Sequence, residues 1–246
     1  MPEAARNEAA PDIASAPCGE VHAWVQRHDL SPDDVVRLLR RQDLTEEIVT
    51  SIVDHHPWIS LHKVQVGVVN NPATPKMVAQ KYVYHLYWRE LVGVMSNLRV
   101  EPAVRHAAEN LLEEKFGDMS LGEKIALAKI PQRGIVKAVR RMDSVDVLKA
   151  LLRNPALVEE DVLFILHYPN LSGQVLDAVA RSPKWRPRPA VCYGLIRHPR
   201  TPQPTALRLL ASMPQKELRE LASNFQVPRP LRDRARKLYI KRRAGR

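Results

Sequence analysis

The chain of 246 residues has only two cysteines, Cys18 and Cys192. That excludes a disulfide framework and a cluster or metal site built on four thiolates. No apolar run approaches the roughly 18 residues needed to cross a bilayer, so no transmembrane helix is expected. Aromatic residues make up 5% of the chain. The signatures GxGxxG, GxxxxGKS or GxxxxGKT, GxSxG and HExxH are all missing, so no catalytic residue is assigned and a non-catalytic role is expected. Residues 1–17 are rich in Ala, Pro and Glu and lack a basic start followed by an apolar stretch. They read as a mobile tail rather than a secretory signal. These absences leave a reducing, cytoplasmic setting, with neither a cofactor nor a metal expected.

Hydrophobic residues make up 45% and charged residues 26%, ordinary values for a globular protein with a sizeable core. The net charge of +11 is unevenly placed. Residues 1–60 hold 5 Lys/Arg against 11 Asp/Glu, a net of −6, whereas residues 181–246 hold 18 against 3, a net of +15. Such a field attracts phosphate or an acidic protein surface. It also allows the acidic end of one molecule to meet the basic end of another, head to tail.

Laid on itself with an offset of 127, the sequence aligns without gaps from about residue 21 to 116. Trp58 falls on Trp185, Gly67 on Gly194, and Pro72, Thr74 and Pro75 on Pro199, Thr201 and Pro202. Asn97 falls on Asn224, and Leu39 on Leu166. Apolar residues recur at helical spacing within each half, as in Val35, Val36, Leu38 and Leu39 followed by Ile48, Val49, Ile52 and Val53. The pattern predicts about fourteen helices, mostly of 9–14 residues. Thr74-Pro75 and Thr201-Pro202 read as helix starts, with threonine as N-cap and proline at the first helical position. Asn97 and Asn224 read as C-caps that tolerate left-handed backbone, and Asn154-Pro155 as a helix end. Val64–Val68 alternates like a strand, as does its copy at 191–196, but helical neighbours favour helix for both.

The segments Asn71-Pro-Ala-Thr-Pro75, Asn154-Pro155 and His198-Pro-Arg-Thr-Pro202 resemble HEAT-like repeats, and more closely the leucine-rich-repeat-variant type of α-solenoid. The resemblance spans roughly residues 21–243. It implies an all-α, right-handed α-solenoid of stacked short helical hairpins with an internal duplication. Its expected parts are a disordered tail (1–20), a first set of repeats (21–116), a bridging hairpin (117–147) and a second set with a basic capping helix (148–246), in one continuous solenoid. The member of that type carrying an iron–sulfur cluster uses a group of N-terminal cysteines. Here only Cys18 stands there, so the cofactor is not carried over.

Residues present in both halves most simply serve the shared fold. By that test Trp58 and Trp185 are apolar plugs, and Gly67 and Gly194 permit close helix approach. Features confined to one half are candidates for specialised work. The first is Tyr82-Val-Tyr84-His85-Leu-Tyr87-Trp88-Arg89. On one helix Tyr84 and Trp88 would share a face with Tyr87 beside them, forming with Arg89 an aromatic ledge able to stack on a ligand, while Tyr82 points inward. The alternative is a helix that simply packs larger side chains. The second is the last helix, with Arg229, Arg232, Arg234, Arg236, Lys237, Lys241, Arg242 and Arg243 around the apolar stripe of Leu231, Ala235, Leu238 and Tyr239. It reads either as an anion-binding end or as a polar cap. His55, His56 and His62 have no counterparts in the other half, and adjacent histidines at a helix end diverge, which argues against a metal site. Cys192 reads as a buried, inert thiol. The expected function is recognition of another macromolecule, most simply a protein, with nucleic-acid binding through the basic end as the alternative and a HEAT-like DNA glycosylase as a remoter one.

Overall fold

The computed structural model describes residues 13–28, 30–142 and 144–244, the side chain of His56 excepted. Among them the fold is all-α, with seventeen helices and no strand. Most helices have 7–10 residues, shorter and more numerous than the periodicity suggests, because the turns cut the apolar stripes more often.

The chain forms two units, Met1–Asp118 and Met119–Arg246. The first contains α1 (Cys18–Arg27), α2 (Pro32–Leu38), α3 (Glu46–Asp54), α4 (His56–Ile59), α5 (His62–Asn70), α6 (Lys76–Val83), α7 (Trp88–Ser96) and α8 (Pro102–Glu114). The expected tail is shorter than 20 residues, since α1 starts at Cys18 and Ile13 and Ala16 are buried. Residues 1–12 lie outside the described residues. The second unit contains α9 (Leu121–Ala128), α10 (Arg133–Val139), α11 (Val145–Leu151), α12 (Glu159–Leu166), α13 (Gly173–Arg181), α14 (Pro189–Arg197), α15 (Gln203–Ser212), α16 (Gln215–Ser223) and α17 (Arg229–Ala244). The hairpin α9–α10 belongs to this unit and packs on α11.

The units share a helix register. Shifted by 127, the starts of α1, α2, α3, α5, α6, α7 and α8 coincide with those of α11, α12, α13, α14, α15, α16 and α17. Three pairs, α3/α13, α5/α14 and α7/α16, also end together. Both strand-like stretches lie inside α5 and α14. In the second unit α12, α14 and α16 pack in one row and α11, α13, α15 and α17 in another. In the first unit α2, α5 and α7 form the matching row. Trp58 (4% exposed) and Trp185 (2%) are buried, as expected of plugs.

Helices this short are marginal in water alone, so packing and end satisfaction must hold them. Several starts are capped locally. Ser31 Oγ accepts from Asp34 N–H at 3.2 Å, and Ser120 and Glu123 form a reciprocal capping box. The ends use a longer-range device. A helix leaves its last carbonyls without intrahelical donors, and here side chains from a neighbouring turn supply them. Asn71 Nδ2 donates to Leu39 O (2.9 Å) and Arg41 O (2.8 Å), while its Oδ1 accepts from Ala73 N–H. Asn154 repeats this on Ala128 O (2.8 Å) and Ile130 O (2.9 Å), accepting from Ala156 N–H. At the position equivalent to Asn71, His198 Nε2 donates to Tyr168 O (2.9 Å) and Nδ1 accepts from Arg200 N–H (3.2 Å). Asn97 Nδ2 donates to Asn70 O, Trp185 Nε1 to Leu152 O and Lys184 Nζ to Leu157 O. Of the five buried polar residues among those described, Asn71, Asn154 and His198 serve this purpose.

Two expected caps work differently. Asn97 and Asn224 have extended backbones (φ −83° and −84°), not left-handed ones, and use their side chains to accept from Arg99 and Gln226 N–H. Thr74 and Thr201 do not cap the helices that follow them. Their hydroxyls donate back to Val68 O and Leu195 O, and α6 and α15 start after Pro75 and Pro202. Each of these carbonyls also accepts a backbone N–H, from Asn71 and His198, so the hydroxyl adds a second bond at the helix end. Among the described residues a left-handed cap occurs at His28 (φ 59°), closing α1.

A buried ion triad braces the second unit. Asp161, fully buried, receives Arg133 at 2.5 Å and Arg140 at 2.6 Å and accepts from Val158 N–H at the start of α12. Burial alone would raise its carboxyl pKa, but the two guanidiniums and the amide hold it below the ordinary value.

Asn154→Ala removes two donors to buried carbonyls and one acceptor, so denaturant unfolding should show a loss of about 2–3 kcal/mol. His198→Asn, which supplies the same donor and acceptor, should cost less than about 1 kcal/mol by the same measurement.

Candidate functional site

The row of α2, α5 and α7 and its counterpart α12, α14 and α16 each carry an open groove. The first, of about 330 Å³, is lined by Val36, Leu39, Val66 and Gly67, with Arg40, Arg41, Gln42, Lys63, Asn70, Pro72, Asn97 and Arg99 around them. The second, of about 550 Å³, is lined by Leu163, Leu166, Ala190, Tyr193 and Gly194, with His167, Pro169, Arg197, His198, Pro199 and Gln226. Every lining position of the second groove except His198 is one of the first shifted by 127.

The shared glycines set the floor. A Cβ at Gly67 would lie 2.9 Å from Leu39 Cδ1, and one at Gly194 3.1 Å from Leu166 Cδ1. A side chain at either position would press on that leucine, so glycine eases the close approach of α5 to α2 and of α14 to α12. In the turns after α7 and α16, Leu98 (81% exposed) and Phe225 (89%) occupy equivalent positions beside Asn97 and Asn224. Neither stands out in the sequence, since a single apolar residue in a turn has no periodicity.

The lining residues of neither groove include a carboxylate. In the first, Arg41 is committed to the fold: it donates to Ile13 O and Ala16 O and pairs with Asp43, whose carboxyl that hydrogen bond holds down to about 2. Lys63 pairs with Asp33. Arg40 and Arg99 are exposed, and their guanidiniums have no partner among the described residues. In the second groove Arg197 bonds to Gln226, and Tyr193 Oη accepts from Asn224.

The aromatic ledge is not one helical face. α6 ends at Val83 and α7 begins at Trp88, so Tyr84 is a helix end and Tyr87 a helix start. The buried Leu86 breaks the stretch, because its side chain belongs in the core. Tyr84 (62%) and Tyr87 (67%) are exposed and Trp88 is half-buried, with Arg89 5.1 Å from its ring; Tyr82 is buried as expected. Tyr87 packs on His62 (4.6 Å between rings), and His62 bonds to Glu90, which accepts from Tyr87 N–H.

The basic helix α17 is sorted by its packing. Leu231 and Ala235 are buried, Leu238 and Tyr239 half-buried, and Ile240 is exposed. Arg242 is a clasp, donating to Met213 O and Ala211 O at the end of α15. Arg232 is half-buried, its guanidinium 5.1 Å from the Phe225 ring. Arg229, Arg234, Arg236, Lys237, Lys241 and Arg243 are exposed. At 100° per residue Arg229, Arg236, Lys237 and Arg243 fall on the face away from Leu231 and Ala235. The one carboxylate of this helix, Asp233, pairs with Arg229.

His55 stacks on His28 at 3.9 Å and meets the edge of Trp58 at 4.3 Å, away from His62. Among the described residues no three His, Cys, Asp or Glu come together as a metal set, and no helix is long and apolar enough to cross a membrane. Cys192 is buried, and burial pushes its thiol up.

The chain matches no family model, no curated protein and no solved structure.

Burial and the neighbouring His28 hold the His55 pKa below its ordinary 6.5. The unfolded chain therefore takes up the proton first, so the contribution of His55 to stability is present above about 6.5 and lost as the pH falls through the folded value. Melting temperature measured from pH 7.5 down to 5 should fall below about 6.5, and His55→Phe should flatten that fall.

Proposed function

We propose that the protein is a non-catalytic, internally duplicated α-solenoid of the HEAT-like or leucine-rich-repeat-variant kind that binds segments of another protein in its two grooves. The observation that carries this reading is the recurrence of a glycine-floored, apolar groove at equivalent positions of the two units. An apolar floor with a polar rim suits a side chain anchored between backbone contacts.

Position 63 in the first groove corresponds to 190 in the second. Peptides selected from a random display library on the full chain should lose about tenfold in affinity to either Lys63→Glu or Ala190→Glu. A selection that enriches nothing, or peptides that bind both variants as tightly as the parent, would sink the reading.

Nucleic-acid binding is the second reading, favoured by the exposed Phe225 stacked on Arg232 beside the outward cations of α17. An exposed ring among cations can stack on a base while the cations meet phosphates. Changing Arg229, Arg236, Lys237 and Arg243 to Gln should reduce the salt dependence of single-strand binding, measured by anisotropy, by about 0.7 in log–log slope for each phosphate left without its cation. Absence of binding at low salt would remove this reading.

A further inference from the structure

Resting on the proposed role of the grooves, we infer that the groove of the first unit is specific for an acidic protein segment, one apolar side chain flanked by carboxylates. The two grooves share a floor but not a rim. Arg40, Lys63 and Arg99 in the first correspond to His167, Ala190 and Gln226 in the second, and Gln42 to Pro169. The second groove has one cation the first lacks, Arg197 in place of Asn70, and it is bonded to Gln226. The cations at positions 40, 63 and 99 are thus not a requirement of the shared architecture.

Charge supplies the second argument. Residues 1–60 carry a net of −6, yet no carboxylate lines the groove they help to build. Asp33 and Asp43 are turned to Lys63 and Arg41. Arg40 and Arg99 remain, exposed and without a partner among the described residues. Two free guanidiniums at the rim of one groove present forked donors matched to carboxylates. Val36, Leu39 and Val66 offer the space between to an apolar side chain. A volume of about 330 Å³ admits one large side chain, not a stretch of duplex or a helix. The occupant is therefore an extended acidic segment with a single apolar anchor.

The test uses the full chain and a short fluorescent peptide with one leucine between paired glutamates. Parallel peptides carry glutamine, phosphoserine or lysine in place of glutamate. The glutamate peptide should bind the parent protein, and Arg40→Gln with Arg99→Gln should weaken it by about tenfold or more. Ala190→Glu and the four-residue α17 variant should leave it unchanged. Arg40→Glu with Arg99→Glu should instead bind the lysine peptide. Because both arginines are exposed and unpartnered, melting curves of these variants should match the parent. Equal binding of the glutamine peptide, clear preference for the phosphoserine peptide, or a loss confined to the α17 variant would each overturn the inference. Those results leave the general groove reading standing. That reading fails separately, if library selection yields no peptide sensitive to Lys63→Glu or Ala190→Glu.

Discussion

The structure depends on the satisfaction of carbonyls at the ends of short helices. Helices of 7–10 residues leave a large share of their backbone acceptors without intrahelical donors. With fourteen such helices among the described residues, the cost of burying those groups unpaired would exceed any plausible net stability. The remedy is a side-chain donor some 24–33 residues later in the chain, seen in Asn71, Asn154, Trp185, His198 and Arg242. Each clasp ties one segment to an earlier turn and so sets the spacing between neighbouring helices. His198 shows that the requirement is for a donor and an acceptor in a given geometry, not for an amide as such.

The grooves follow from that spacing. Once the turns are clasped, Gly67 and Gly194 let α5 and α14 sit against Leu39 and Leu166, and the side chains on either side stand apart. The same backbone then carries different rims. The acidic N-terminal region contains the groove with free arginines, whereas the groove of the strongly basic C-terminal region is lined by neutral side chains and an Arg197 already bonded to Gln226. Regional net charge therefore misleads about local recognition, because charged side chains such as Asp33, Asp43, Lys63 and Arg41 are spent on one another or on backbone carbonyls.

How much is legible in the sequence follows the range of each interaction. The helical character of the Val64–Val68 stretch, the burial of Trp58 and Trp185 and the tight approach at Gly67 and Gly194 can be read from periodicity and from comparing the halves. The break at Tyr84–Tyr87 cannot, since Tyr, His and Leu are all compatible with helix, whereas in the structure Leu86 is buried between α6 and α7 and Glu90 accepts from Tyr87 N–H. Thr74 and Thr201 depart from expectation for a related reason. The Thr-Pro pair is a sound local start signal, but the hydroxyl donates to the carbonyl behind it.

By itself the sequence determined the helical class, the register of the two halves and the positions where bulk or its absence is required, because periodicity and self-comparison are properties of the chain alone. Only the tertiary structure decided which charges are free. Arg242 and Arg41 look like any surface arginine in sequence, yet both are held by carbonyls 25–31 residues away, while Arg40 and Arg99 are left open. Pairing of that kind depends on which turns the packing brings together, and no local pattern records it.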